Sequence, residues 1–169
     1  MKTALTIDIR RAQENDALAI AAVHMEAWQG AYAGIIPHRA LARMISRRDC
    51  RWWGSAIRRS ACVLVVECGG EIAGYATMGR NRAQELPQQG EIYELYLRPE
   101  YQGIGLGSRL FAAAREKLAD HGLDGLVVWA LEENHNAMSF YHGAGGRDVA
   151  EGVEVFDQKA IRKIAFVWA

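Results

Sequence analysis

Neither sign of charge dominates this sequence. Its 169 residues carry twenty Lys and Arg against twenty Asp and Glu, for a formal net charge of zero. Nucleic-acid binding ordinarily leaves a basic excess or stripe. Arg47-Arg48 and Arg58-Arg59 make no such stripe and read as solvated faces of a helix, so no nucleic-acid partner is expected. Long apolar runs are also missing. None approaches the roughly 20 residues of a membrane span, and the polar start from Met1 to Arg10 lacks the apolar segment of a secretory signal. No membrane partner is expected. Cysteine is scarce. Cys50, Cys62 and Cys68 are odd in number and form no C-x-x-C pair, which fits three free thiols in a reducing cytoplasm. His135 and His142 have no third ligand at useful spacing, so no metal site is expected.

What is present is one chain of ordinary globular composition, 50% apolar and 24% charged. Its length suits a single domain over residues 1–169. Thr6 to Arg10 alternates as a short strand. Asn15-Asp16 signals a helix start, and Ala17, Ile20, Ala21, His24 and Trp28 recur at helical spacing until Gly30 and Gly34. Pro37 opens a second helix, which carries Leu41, Met44 and Ile45 and runs, with or without a break, towards Arg58. Strands are predicted at Cys62 to Glu67, Glu71 to Arg80 and Glu91 to Leu97, the first two joined by a turn at Gly69-Gly70. A helix through Leu106, Leu110, Ala114 and Leu118 stops at Gly122. A strand at Gly125 to Leu131 and a helix at Asn134 to Ala144 follow, and strands near Arg147 to Ala150 and Ala160 to Trp168 close the chain. The order β-αα-βββ-α-β-α-ββ predicts a mixed α/β (α+β) domain.

The most informative stretch is Gln102-Gly103-Ile104-Gly105-Leu106-Gly107-Ser108, where a strand gives way through a glycine turn to a helix. N–H groups at a helix start lack intrahelical acceptors and sit at the positive end of the helix dipole. Glycines let phosphate oxygens approach that backbone. A phosphate or pyrophosphate cradle is the physical reading, but the turn alone does not name its ligand. No Gly-Lys pair exists, which excludes the nucleoside-triphosphate loop G-x-x-x-x-G-K-[ST]. A dinucleotide site needs G-x-G-x-x-G and an acidic residue about twenty positions on. Here the third glycine comes one residue early, Glu132 comes late, and too little chain follows for the missing βαβ units.

The same residues resemble the GNAT superfamily of N-acetyltransferases. Gln102 to Gly107 matches its [QR]-x-x-G-x-[GA] signature, and Asn134-His135-Asn136-Ala137-Met138-Ser139-Phe140-Tyr141 is similar to its N-x-x-A-x-x-F-Y motif. Both motifs occur in order and in a strand-helix-strand-helix context, over roughly Glu91 to Gly146. The resemblance implies a central mixed, mostly antiparallel sheet of about seven strands with about four helices. It implies acetyl-CoA as cosubstrate and a small-molecule or peptide amine as acceptor. Homodimers through exposed sheet edges are common in such folds.

The resemblance also distributes roles. The backbone of Leu95 and Leu97 would pair with pantetheine. The backbone of Gln102, Gly103, Ile104, Gly105 and Gly107, with Ser108, would hold the pyrophosphate. Asn134 would bond the pantetheine arm, besides its local role as a helix N-cap, and Phe140 would pack beside it. Tyr141 matches the general acid that protonates the leaving thiolate. Glu91 and Glu94 are both candidate bases for the amine. Three residues apart, they lie on opposite faces of a regular strand, and a bulge would change that. Trp28 and Tyr32 would wall the acceptor pocket, whereas Trp52-Trp53 read as core. A CoA-binding module without transfer activity, and transfer of another acyl group, stay open. One departure stands out. Where such proteins usually carry a large apolar residue after the glycine that follows the F-Y motif, this chain has Gly145-Gly146.

Overall fold

The structure, a computed structural model, describes residues 5–59 and 62–169. Residues 1–4 of the polar start lie outside the described residues. Strand β1 (Ile7–Arg11) leads into α1 (Ala17–Tyr32), α2 (His38–Arg47) and α3 (Cys50–Arg58). Strands β2 (Cys62–Cys68), β3 (Glu71–Arg80) and β4 (Gly90–Leu97) follow, then α4 (Leu106–Asp120), β5 (Leu126–Leu131), α5 (His135–Gly143), β6 (Arg147–Phe156) and β7 (Lys159–Trp168). The seven strands form one sheet in the order β1-β2-β3-β4-β5-β7-β6. Every pairing is antiparallel except β4 with β5.

Among the described residues there are five α-helices, one more than the expected four. The segment after Pro37 is broken by Asp49, whose carboxylate accepts a hydrogen bond from the Trp52 N–H at 2.9 Å and so caps a new helix. Strand β6 is longer than the expected Arg147 to Ala150. It reaches Phe156 and turns through Asp157 and Gln158, which both adopt positive φ of 45° and 71°. Two consecutive left-handed residues make a tight hairpin here without glycine.

The alternation of β2 divides the core. Val63 and Val65 face α1 and α3, where they meet Ile20, Val23, Trp53 and Tyr75. Leu64 and Val66 face α4 and α5 and join Ile92, Leu106, Leu110, Val128 and Phe166. Helices thus cover both faces of the sheet, as its two apolar sides require. The Gly145-Gly146 departure has a packing reason. Gly145, at φ 90°, follows α5. A Cβ on Gly146 would lie 2.6 Å from Cζ2 of Trp168, so the β7 tryptophan fills the space an apolar side chain would take.

Two irregularities of β4 shape the rest of the molecule. The strand pairs with β5 only over Gly90–Ile92 and Leu126–Val128, and beyond these residues the two diverge. A cleft opens between Tyr93–Leu97 and Trp129–Leu131. On the other side, Thr77 pairs with Glu94 and Met78 with Ile92, which leaves Tyr93 as an extra residue in β4. That bulge reverses the alternation. Glu94 opposes Thr77 and Glu91 opposes Gly79, two β3 residues on one face. The two glutamates therefore share a face of the sheet, contrary to the regular-strand expectation.

Candidate functional site

The cleft contains two cavities. The first is a groove of about 750 Å³ where β4 ends and α4 begins. Leu95, Leu97, Gln102, Gly103, Gly105, Gly107 and Ser108 line it, with Asn134, Phe140 and Tyr141 of the α5 region opposite and Gly30 and Ala31 of α1 at one side. The structure thus brings together nine of the ten residues assigned to the cosubstrate and the candidate acid. Ile104 stands apart. It is 61% exposed and does not line the groove.

The turn owes its shape to its glycines. Gly103 and Gly105 have φ of 80° and 86°, a region costly for residues with a Cβ. Gly105 is the N-cap of α4 and places the unpaired N–H groups of that helix at the end of the groove. Gly107 answers to packing instead, since a Cβ there would lie 3.3 Å from Cε2 of Phe140. Gln102 Nε2 donates to the Leu97 carbonyl at 3.3 Å and braces the turn on β4. Asn134 Oδ1 accepts from the Ala137 N–H at 3.3 Å and caps α5. Tyr141 is buried, and burial pushes its phenol well above the ordinary range. It stays protonated at neutral pH.

The second cavity, of about 420 Å³, lies on the α1–α3 face of the same cleft. Trp28 and Tyr32 line it, together with Trp52, Tyr93, Tyr96, Trp129, Glu91, Glu94, Arg48 and Arg82. Tyr96 borders both cavities, and its hydroxyl lies 2.5 Å from that of Tyr32. Sequence reasoning missed Tyr96, whose position depends on the divergence of β4 from β5. It also misplaced two residues. Trp53 is core, but Trp52 is at the cavity. Arg48 is no solvated helix residue: it stacks on Trp52 with its guanidinium 3.9 Å from the ring centroid and pairs with Glu94.

The two glutamates differ in their surroundings. Glu91 is buried and accepts from the Arg82 backbone N–H at 3.0 Å and from Nη2 and Nε of the same arginine at 2.9 and 3.4 Å. These bonds fasten the β3–β4 connection. Glu94 accepts from Arg48 Nη1 at 3.1 and 3.3 Å and from Thr77 Oγ1 at 3.1 Å. His24, fully buried behind Trp28, has its pKa lowered to about 4 by desolvation and by Arg48. Its ring is neutral at neutral pH. Among the described residues no three His, Cys, Asp or Glu side chains gather as a metal site.

A phosphate-fitting groove and a carboxylate-bearing cavity that meet at one tyrosine suit group transfer between two substrates. Comparison with known proteins decides the family. The profile of the acetyltransferase (GNAT) family matches residues 22–145. The chain belongs to the GNAT family. It is 32% identical over 145 residues to the uncharacterized N-acetyltransferase YuaI of Bacillus subtilis, with 86% of this chain and 83% of that one covered. The GNAT fold also aligns with the PaiA N-acetyltransferase of Thermoplasma acidophilum in complex with coenzyme A, at a TM-score of 0.76, 21% identity, and 94% and 98% coverage. Salmonella typhimurium YncA, a putative acetyltransferase with its cofactor acetyl-CoA, aligns at a TM-score of 0.72, 22% identity, and 96% and 93% coverage. The family match runs from within α1 to just past the end of α5 and so includes α2, α3, the diverging β4, the glycine turn and the α5 motif; β6 and β7 lie beyond it.

Proposed function

We propose that this GNAT protein transfers the acetyl group of acetyl-CoA to the primary amine of a small molecule or peptide, by direct attack within a ternary complex. The observation that carries this reading is the meeting of the two cavities at Tyr96. The groove residues fit acetyl-CoA: glycines at positive φ, a helix N-terminus and Ser108 for the pyrophosphate, and the unpaired edge of β4 at Leu95 and Leu97 for the amides of pantetheine. An edge left by a diverging strand accepts such an arm much as it would accept another strand. The names of the aligned relatives agree with this use of the groove.

The amine arrives mainly protonated and must lose a proton before it attacks the thioester carbon. Glu94 is the better base. Both carboxylates line the acceptor cavity, but Glu91 is the more deeply buried and is held by the main chain as well as the side chain of Arg82, whereas Glu94 is held by side chains alone, Arg48 and Thr77. As the C–N bond forms and the C–S bond breaks, the Tyr141 phenol gives its proton to the departing sulfur. Glu91 keeps the wall of the cavity in place.

Purified protein with acetyl-CoA and a panel of amines, assayed for free thiol, tests the proposal. Turnover with some amines is expected, and Glu94→Gln lowers kcat by about 100-fold. Glu91→Gln lowers the melting temperature more than it lowers kcat. Coenzyme A binding without thiol release from any acceptor would instead indicate a binding module. Equal loss of turnover in both variants would remove the distinction between the glutamates.

A further inference from the structure

The lining of the acceptor cavity narrows the acceptor itself, given that the cavity serves the transfer proposed above. Among the described residues three cations line it, and each has a carboxylate and an aromatic face of its own. Arg48 pairs with Glu94 over Trp52, Arg82 with Glu91 over Tyr93, and Lys163 with Glu154 over Trp129. The lining is pairwise neutral. A simple ammonium that took Glu94 would strand the Arg48 guanidinium, which is 29% exposed. An unpaired, partly buried charge is strongly unfavourable.

Of the two arginine pairs, only one is built to exchange. The Arg82 main chain also donates to Glu91, which the side chain cannot undo by swinging away. Arg48 meets Glu94 through Nη1 alone, and among the described residues its Nε and Nη2 make no hydrogen bond. Its planar fork therefore keeps donors for a second carboxylate. The two sides of the pair come from separate elements, the end of α2 and the middle of β4. A guest can enter between them without breaking either element.

We infer that the acceptor is a zwitterionic amine of amino-acid size, its ammonium taken by Glu94 and its carboxylate by Arg48. One ion pair is then replaced by two, and no charge is left alone. The rest of the cavity matches such a guest. Trp28, Trp129 and Phe156 supply apolar walls for its side chain, and about 420 Å³ stands at the small end of ligand cavities. A polyamine, which carries no anion, does not satisfy Arg48.

Matched amines test this. Thiol release from acetyl-CoA is measured with phenylalanine, phenylalaninamide and phenethylamine, with leucine and isoamylamine, and with lysine and cadaverine. The zwitterion of each set should have the higher kcat/KM by about tenfold or more, the worth of a hydrogen-bonded ion pair. In Arg48→Gln that advantage should shrink to about twofold, and in Arg48→Lys it should be intermediate. Coenzyme A binding by calorimetry reports that the variants remain folded, because Arg48 does not line the groove. Equal or faster turnover of the amides and decarboxylated amines by the wild-type protein overturns the inference, whatever the variants do. So does a preference that survives in Arg48→Gln. If no amine is turned over, calorimetric binding of the same pairs to the coenzyme A complex decides. A zwitterion preference there keeps the inference and discards the transfer activity, and its absence ends the inference.

Discussion

The hydroxyls of Tyr32 and Tyr96 lie 2.5 Å apart and tie α1 to the half of β4 that has left β5. Tyr96 also packs against Trp28 and Tyr75, with ring centroids 5.7 and 5.9 Å away. Burial raises both phenols, so the bond is between two neutral hydroxyls throughout the neutral range. Tyr32→Phe leaves the Tyr96 hydroxyl without this partner. A loss of about 1–2 kcal/mol is expected, seen as a melting temperature lower by roughly 2–8 °C. Tyr32 borders the acceptor cavity and not the groove. The acceptor KM should therefore rise while coenzyme A affinity, measured by calorimetry, holds. A matching loss of coenzyme A affinity would mean that the contact shapes the groove as well.

Tyr141→Phe should lower kcat more than it weakens coenzyme A binding. The phenol is buried and protonated, and phenylalanine preserves its packing against Phe111, Phe140 and Phe166. On the proposed mechanism what is lost is the proton for the leaving sulfur, about 10–100-fold in kcat because a thiolate leaves fairly well unaided. Steady-state kinetics with calorimetry of coenzyme A separates the two effects. Unchanged kcat would take Tyr141 out of the acid role.

The parts of this site that sequence made legible are local. The glycine turn and the Asn134–Tyr141 stretch each set their own backbone, through positive φ at Gly103 and Gly105 and a cap at Asn134. The parts that escaped depend on partners far along the chain. Whether Glu91 and Glu94 share a face rests on Tyr93 finding no partner in β3. Tyr96 borders both cavities because β5 departs after Val128. Arg48 looked like half of a solvated pair with Arg47, and only the capping of α3 by Asp49 turns it towards Trp52 and Glu94. The length of β6 was hidden by a hairpin turn made from Asp157 and Gln158 instead of glycine.

Stability should fall as pH drops from about 6.5 to about 4, and His24 should carry a measurable share of the fall. In the unfolded chain His24 takes up its proton near 6.5, and in the folded protein near 4. Between these values the unfolded state binds more protons, so acid favours unfolding. Full expression of the shift is worth roughly 3 kcal/mol. His24→Phe, which keeps a ring beside Trp28 and Trp53, should flatten the dependence of unfolding free energy on pH over this window. Urea unfolding of both proteins at several pH values measures it, and parallel curves would show that His24 does not titrate with unfolding.

Gly146→Ala should destabilise the protein through one identifiable clash. The added Cβ would stand 2.6 and 2.9 Å from ring atoms of Trp168 and 3.0 Å from the Tyr141 carbonyl oxygen. The tryptophan cannot easily withdraw, because its Nε1 donates to the Ala144 carbonyl at 3.0 Å and its ring packs on Phe111 and Tyr141. Nor can the backbone, since the Gly146 N–H donates to the Tyr141 carbonyl at 3.0 Å. Overpacking of this kind costs about 2 kcal/mol, or a melting temperature lower by roughly 4–8 °C. Trp168→Leu alone leaves a cavity and is destabilising too. The double variant should nevertheless be more stable than the sum of the two losses predicts, because the smaller side chain makes room for the new methyl. Thermal melts of the four proteins supply the cycle. Strict additivity would mean that the strain at Gly146 is relieved elsewhere, by movement of the α5–β6 connection.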